Sequence, residues 1–252
     1  MTTSREQVAP CYDYLVPKVI APGKFITFEG LDGCGKTTQI ERLATVLRGG
    51  GIEVLTAREP GGTEIGERIR AVLLDSRTAG LDPWAEMALM FASRAQQTAQ
   101  VIGPALKSGK WVLCDRFTDS TEAYQGGGRL LGSEPVLELH RVLCHGLWPD
   151  LTILMDSDVS HSVQKARRRN RIASLTEAPD ENRFERESRA FFTRVHEAYL
   201  KIAEREPQRV VVIDARPPAE AVHPEIVRAV RERLMAENVS ARTQSQLSPK
   251  GV

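Results

Sequence analysis

Five short apolar runs, separated by longer amphipathic stretches, constrain the fold of this chain more than any other feature. They lie at 25–29 (FITFE), 52–56 (IEVLT), 111–115 (WVLCD), 151–156 (LTILMD) and 210–214 (VVVID). Each is too short for a typical helix and is nearly continuous in apolar residues. That pattern marks strands covered on both faces, as in a parallel sheet, rather than strands with one wet face. Three runs end in Asp and one in Glu, where a buried strand would leave the core. Helical spacing fills the intervals at about 36–49, 64–74, 83–107, 134–145, 158–170, 185–205 and 218–236. Asp82-Pro83 supplies a cap residue followed by proline at the first helical position of the third interval. Strands alternating with helices imply βαβ crossovers and a doubly wound α/β domain over 24–236. The N-terminal extension 1–23 and the C-terminal tail 237–252 lack periodicity and are expected to be flexible.

Composition excludes several classes. Lys plus Arg number 34 and Asp plus Glu 33, a net charge of +1, so no general electrostatic grip on nucleic acid or a membrane surface is expected. No run of about 18 apolar residues exists to span a bilayer. The four cysteines, Cys11, Cys34, Cys114 and Cys144, have no paired spacing, and read as incidental thiols in a reducing compartment. Without an export signal, the cytoplasm is the expected location.

Gly30-Leu31-Asp32-Gly33-Cys34-Gly35-Lys36-Thr37 matches G-x-x-x-x-G-K-[ST] between the first strand and the first helix, the context the motif requires. Glycines let the backbone wrap an anion closely, so successive N–H groups turn inward, and the helix adds its positive end. Lys36 supplies a point charge for the β- and γ-phosphates, and the Thr37 hydroxyl a ligand for Mg²⁺. With Thr38, this stretch is the expected ATP-binding loop. A metal-binding carboxylate is expected at a nearby strand end, where Asp115 leads and Asp156 and Asp214 compete. Arginines then recur between the strands: Arg58, Arg70, Arg94 and Arg116. The planar guanidinium suits phosphate oxygens, so together they favour transfer between two bound nucleotides.

At this point the sequence resembles the thymidylate kinase family. The resemblance rests on Phe28-Glu29-Gly30 running into the glycine loop and on Arg58-Glu59-Pro60-Gly61-Gly62-Thr63. It rests equally on Asp115-Arg116-Phe117 and on Ser120-Thr121-Glu122-Ala123-Tyr124-Gln125-Gly126-Gly127-Gly128-Arg129. It covers about 24–215. It implies a P-loop nucleoside-monophosphate-kinase-like α/β fold, with a five-stranded parallel sheet flanked by helices and an arginine-rich lid at about 165–185. It implies transfer of the γ-phosphoryl of ATP to dTMP, giving dTDP and ADP with Mg²⁺ required, and a homodimer with surfaces on helices 64–74 and 83–107.

By the same resemblance, Arg58, Arg70 and Arg94 hold the acceptor, with Arg94 near both its phosphate and its base. Glu59 and Asp115 organise metal, water and the acceptor end. Arg116 is the cation between the two phosphate sites. Asp32 faces the acceptor sugar, Thr121 and Gln125 the thymine edge, and Tyr124 the place a 2′-hydroxyl would occupy, where a bulky ring rejects ribose by overlap. Relatives carry a base-stacking Phe four residues before the helix arginine. Here that position is Met90 and Phe91 is three before, and both spacings share a helix face.

Lys165-Ala166-Arg167-Arg168-Arg169-Asn170-Arg171 holds five basic residues in seven. Some relatives carry an arginine inside the glycine loop; this chain has Gly33 there. Lid arginines are therefore expected to supply the transition-state charge, Arg169 and Arg171 first and Arg167 behind. The lid is longer than in relatives, and their Asp-Arg-x-Glu reads Asn182-Arg183-Phe184-Glu185. Two alternatives stand beside the main expectation: a kinase for another pyrimidine monophosphate such as dUMP or UMP, and a nucleotide-binding regulator without turnover.

Overall fold

The computed structural model describes residues 22–173 and 181–235, excepting the side chains of 169–173. Five parallel strands, β1 (Phe25–Glu29), β2 (Val54–Arg58), β3 (Trp111–Asp115), β4 (Leu151–Asp156) and β5 (Val210–Asp214), lie in the order β2-β3-β1-β4-β5. Nine α-helices among the described residues connect and flank them: α1 (Lys36–Gly49), α2 (Glu64–Leu74), α3 (Pro83–Gln97), α4 (Gly103–Lys107), α5 (Thr118–Thr121), α6 (Glu134–Leu143), α7 (Val159–Ala173), α8 (Arg189–Arg205) and α9 (Ala219–Leu234). Strand β1 is central, and the chain winds outward from it in both directions, so a crevice opens beyond the carboxyl ends of the strands.

Helices cover both faces of the sheet. On one face Ile26, Phe28, Leu113 and Ile153 pack with Ile40, Leu43 and Leu47 of α1 and Val222, Ile226 and Val230 of α9. On the other, Leu154 and Val210 pack with Phe191, Val195, Tyr199 and Ile202 of α8, in a cluster that includes Met90 and Tyr124. Double coverage is the reason β1, β3 and β4 read as continuous apolar runs, while the edge strands β2 and β5 are partly exposed. Register brings Arg58 opposite Asp115 and Phe28 opposite the same Asp115, so the ends of β1, β2 and β3 emerge level.

Four strands have the expected bounds. The second does not: it begins at Val54, two residues beyond the expected start at 52, because α1 ends through Gly50 and Gly51 and the Ile52 amide still donates to Leu47 O (3.0 Å). The shift moves Arg58 from the following loop onto the strand end. Asp82 caps α3 as expected, accepting from the amides of Trp84 and Ala85. The long helix expected over 83–107 is instead interrupted by a π-helical turn, Thr98–Ile102, before Gly103-Pro104; Pro104 has no N–H for the helical ladder. The helix expected over 185–205 splits into a 3₁₀ turn, Phe184–Arg186, and α8, whose first turn is capped by Ser188.

Candidate active site

The glycine loop leaves β1 in backbone conformations that a side chain would obstruct. Gly30 has φ 125°, and a Cβ there would lie 2.5 Å from Met155 O. Gly33 has φ 86°, and a Cβ there would lie 2.6 Å from Ser162 O and 3.1 Å from Ala166 N, both backbone atoms of α7. Neither can yield as a flexible side chain would, so the loop has no room for an arginine at this position. Lys36 is buried and donates from Nζ to Gly30 O (3.2 Å) and Leu31 O (3.0 Å), folded across the loop it serves. Thr37 Oγ1 donates to Asp115 Oδ2 at 3.1 Å. Of the three competing strand-end carboxylates, only Asp115 meets the loop in this way: Asp156 accepts His196 (2.6 Å) and Asp214 is exposed and paired with Arg216 (2.8 Å). Thr37 and Asp115 offer hard oxygen donors, the chemistry Mg²⁺ prefers, at the mouth of the loop.

Directly after Asp115 the chain turns at Arg116 through a left-handed conformation, φ 72°, unusual for a residue with a side chain. Its guanidinium donates to Asp32 Oδ1 of the glycine loop (2.9 Å), Ser120 Oγ (2.8 Å), Tyr199 OH (3.0 Å) and Tyr124 OH (3.3 Å), and lies over the Tyr124 ring at 5.0 Å. Tyr124 OH in turn donates to Asp32 Oδ2 (3.1 Å). Beneath this group lies Glu29, fully buried, accepting from the Phe117 amide (2.7 Å), Ser120 Oγ (2.5 Å) and Tyr199 OH (3.0 Å). Burial, reinforced by the Asp119 charge, pushes Glu29 up to about 7 against the pull of Arg116.

Arg94, on α3, is 2% exposed and forms a second buried centre. Nε donates to Glu59 Oε2 at 2.5 Å, and Nη2 to Phe117 O (3.1 Å) and Thr121 Oγ1 (2.9 Å). Arg94 Nη1 and Glu59 Oε1 are enclosed without a partner among the described residues, two polar atoms of opposite kind left for something else to satisfy. Burial raises Glu59 to about 7 despite Arg94 beside it. Arg70 grips Glu181 with Nε and Nη2 (2.8 and 2.7 Å) and Pro60 O with Nη1 (2.9 Å). Arg58 is more exposed and turned to Glu67 (3.0 Å).

Packing separates the two residues that helix spacing left equivalent. Phe91 is wholly enclosed with Met87, Val136 and Cys144 and lies under the Arg94 guanidinium (4.9 Å), whereas Met90 shares a cluster with Leu31, Tyr124 and Phe184. Phe91 is thus the more enclosed of the two, at 0% exposure against 9% for Met90. Arg169 and Arg171 lie outside the described side chains. Arg167 donates to Glu185 O (2.8 Å) and Glu187 O (3.1 Å), tying α7 to the C-terminal end of the lid region.

Sequence reasoning passed over a buried cluster around Glu86. It accepts from Gln125 Nε2 (2.7 Å), from Arg129 Nε and Nη2 (3.1 and 3.0 Å) and from Arg183 Nη1 (2.5 Å). A signal existed: Glu86 is the one acid on the apolar face of Met87, Met90 and Phe91. It also passed over the helical character of 118–128, where α5 continues into a π-helical turn, Glu122–Gly128. Two of the glycines there serve contact with α8: a Cβ on Gly127 would lie 2.5 Å from Ala198 Cβ, and one on Gly128 2.6 Å from the Phe191 ring.

A parallel sheet with a phosphate-cradling loop after its central strand, faced by a buried arginine from α3 and a partly buried one at the end of β3, defines a P-loop protein of the nucleoside monophosphate kinase type. The thymidylate kinase family model matches residues 28–226. A thymidylate kinase of Pelobacter propionicus is 48% identical over 208 residues, covering 82% of this chain and 94% of its own, and one of Geobacter sulfurreducens is 50% identical over 199 residues, covering 79% and 92%. The crystal structure of thymidylate kinase from Ehrlichia chaffeensis superposes with a TM-score of 0.66 at 31% identity, over 83% of this chain and 100% of that one. The chain belongs to the thymidylate kinase family. It is an enzyme, an ATP-dependent nucleoside monophosphate kinase.

Proposed function

We propose that the enzyme transfers the γ-phosphoryl of ATP to dTMP, giving dTDP and ADP. The observation that carries this reading is Arg116, which bonds Asp32 inside the triphosphate loop at 2.9 Å while standing on the turn that leads to Thr121 and Tyr124. One cation thus forms the wall between a donor cradle and an acceptor pocket. Phosphoryl transfer needs little covalent chemistry from the protein, only alignment of two anions and charge for the equatorial oxygens.

In this reading Lys36 leaves its loop carbonyls to meet the β- and γ-phosphates of ATP, and Arg116 spans donor and acceptor phosphates. Arg94, with its enclosed Nη1, reaches the acceptor, assisted by Arg70 and Arg58. Thr121 and Gln125 face the base edge, Met90 its face, and Tyr124 excludes a 2′-hydroxyl. Mg²⁺, when bound with the nucleotide, would be held by Thr37 and Asp115 and would neutralise phosphate charge. Because Gly33 cannot carry a side chain, arginine from α7 supplies the remaining charge. Arg169 and Arg171 stand first for that role, since Arg167 is engaged with the carbonyls of Glu185 and Glu187.

The same reading takes the enzyme as a cytoplasmic homodimer. Support for the dimer comes from exposed apolar side chains on neighbouring helices: Ile65 and Val72 of α2, Trp84 of α3, and Val142 of α6. Among the described residues no helix is long and apolar enough to cross a membrane.

The test is ADP release with ATP and Mg²⁺, comparing dTMP, dUMP, dCMP and dGMP as acceptors. The reading expects dTMP to be turned over fastest; faster turnover on any other acceptor overturns it.

A further inference from the structure

Glu86 sits on α3 with 0% exposure, eight residues before Arg94, and no step of the proposed reaction uses it. Each of its carboxylate oxygens accepts two donors, Oε1 from Gln125 Nε2 (2.7 Å) and Arg129 Nε (3.1 Å), Oε2 from Arg129 Nη2 (3.0 Å) and Arg183 Nη1 (2.5 Å). Burial works against the charge, but these donors outweigh it and hold the carboxyl below its usual range.

An ionised carboxylate only accepts hydrogen bonds. The Gln125 amide therefore cannot turn over: its NH₂ must face Glu86, because the reverse would set two acceptor oxygens against each other at 2.7 Å. Its NH₂ is taken by Glu86, so its carbonyl Oε1, on the other arm of the amide, is directed away from Glu86 and is left to accept. A fixed acceptor reads bases by N3. Thymine and uracil carry an N3–H donor, whereas cytosine presents a lone pair there.

We propose that Glu86 is the positioning residue for base specificity, locking the Gln125 amide so that its carbonyl accepts from the N3–H of a thymine-type base and repels cytosine. The inference rests on dTMP as the acceptor. Arg129 and Arg183 keep the lock charged, and through Arg183, at the C-terminal end of the lid region, and Glu187, which pairs with Arg129 (2.6 Å), it is joined to the downstream lid stem.

The experiment measures kcat and KM for dTMP, dUMP and dCMP on the full chain, for wild type, Glu86→Gln, Gln125→Ala and the double variant. A neutral amide at 86 no longer dictates which way Gln125 faces. Glu86→Gln is expected to lower kcat/KM for dTMP and dUMP together by about tenfold or more, chiefly through KM, while dCMP holds or improves. In the Gln125→Ala background the same substitution should change the dTMP-to-dCMP ratio by less than about twofold. An equal fall on all three acceptors, as a merely structural role would give, or a narrowed ratio without Gln125, overturns the proposal. If Glu86→Gln does not fold, Glu86→Asp decides: it keeps the charge facing Arg129 and Arg183 but loses reach, so the ratio should narrow, and an unchanged ratio overturns the proposal. A wild type that does not prefer dTMP to dCMP sinks the acceptor reading and this inference with it. Wild-type preference with unaltered ratios in the variants sinks only the role of Glu86.

Discussion

Arg94 offers the sharpest separation of stability from function. Replacing it by Met keeps most of the packing over Phe91 and Phe117 but strands Glu59, whose side chain is 1% exposed and whose bonded oxygen loses a 2.5 Å partner. Removing one member of a buried pair costs about 3–5 kcal/mol, because the other charge is left uncompensated. For a chain of this size that corresponds to a fall in Tm of roughly 6–20 °C. The loss depends on pH. Glu59 already titrates near 7 with Arg94 in place, and without that cation its folded value rises further. A carboxyl raised above its unfolded value of 4.5 binds its proton more tightly when folded, so its contribution is fully present below that value and is lost as pH climbs through the folded one. Arg94→Met should therefore be more destabilised relative to wild type at pH 8 than at pH 5.5. Adding Glu59→Gln should return much of the lost stability at pH 8 without returning turnover of dTMP. Thermal unfolding of the three proteins at both pH values, with steady-state kinetics alongside, makes the comparison. Equal Tm losses at the two pH values, or a double variant no more stable than the single, would refute the account of the buried pair. Turnover of dTMP within about twofold of wild type would refute the place of Arg94 in the acceptor site.

Lys36→Met removes a side chain whose hydrogen bonds among the described residues go to its own loop carbonyls and the Cys34 thiol, so turnover should fall by about 10²-fold or more while Tm stays within a few degrees. A fall in Tm matching the loss of turnover would make Lys36 a structural residue. Gly33→Ala forces a Cβ to 2.6 Å from Ser162 O at a positive φ and should cost about 1–3 kcal/mol while raising KM for ATP; unfolding and kinetics both unchanged would contradict the contact between the loop and α7. Tyr124→Ala should raise the use of ribothymidine monophosphate relative to dTMP, measured as the ratio of kcat/KM, and an unaltered ratio would remove Tyr124 from sugar selection.

Much of this protein was legible because its signals are local. The glycine loop, its lysine and its threonine form a contiguous string whose backbone demands can be named residue by residue, and the strands at 25–29, 111–115, 151–156 and 210–214 have the bounds their apolar character implies. The 118–128 segment was not legible as a helix, because a run of three glycines argues against one. Gly127 and Gly128 are explained only by the approach of α8, some seventy residues later in the chain, and Gly126 by the turn at Gly132. Met90 and Phe91 were equivalent by spacing, and the difference between them lies in what α6 and the loop after β1 bring against α3.

The chain alone, then, determined the class of fold and the chemistry of the donor cradle, since alternating hydrophobic runs and a glycine-rich turn are properties of neighbouring residues. Tertiary structure decided everything that depends on distant residues meeting. Only the folded protein brings Arg116 to Asp32, Arg94 to Glu59, and Glu86 to Gln125, Arg129 and Arg183. A buried charge is tolerable only with partners, and those partners come from segments that the sequence keeps far apart.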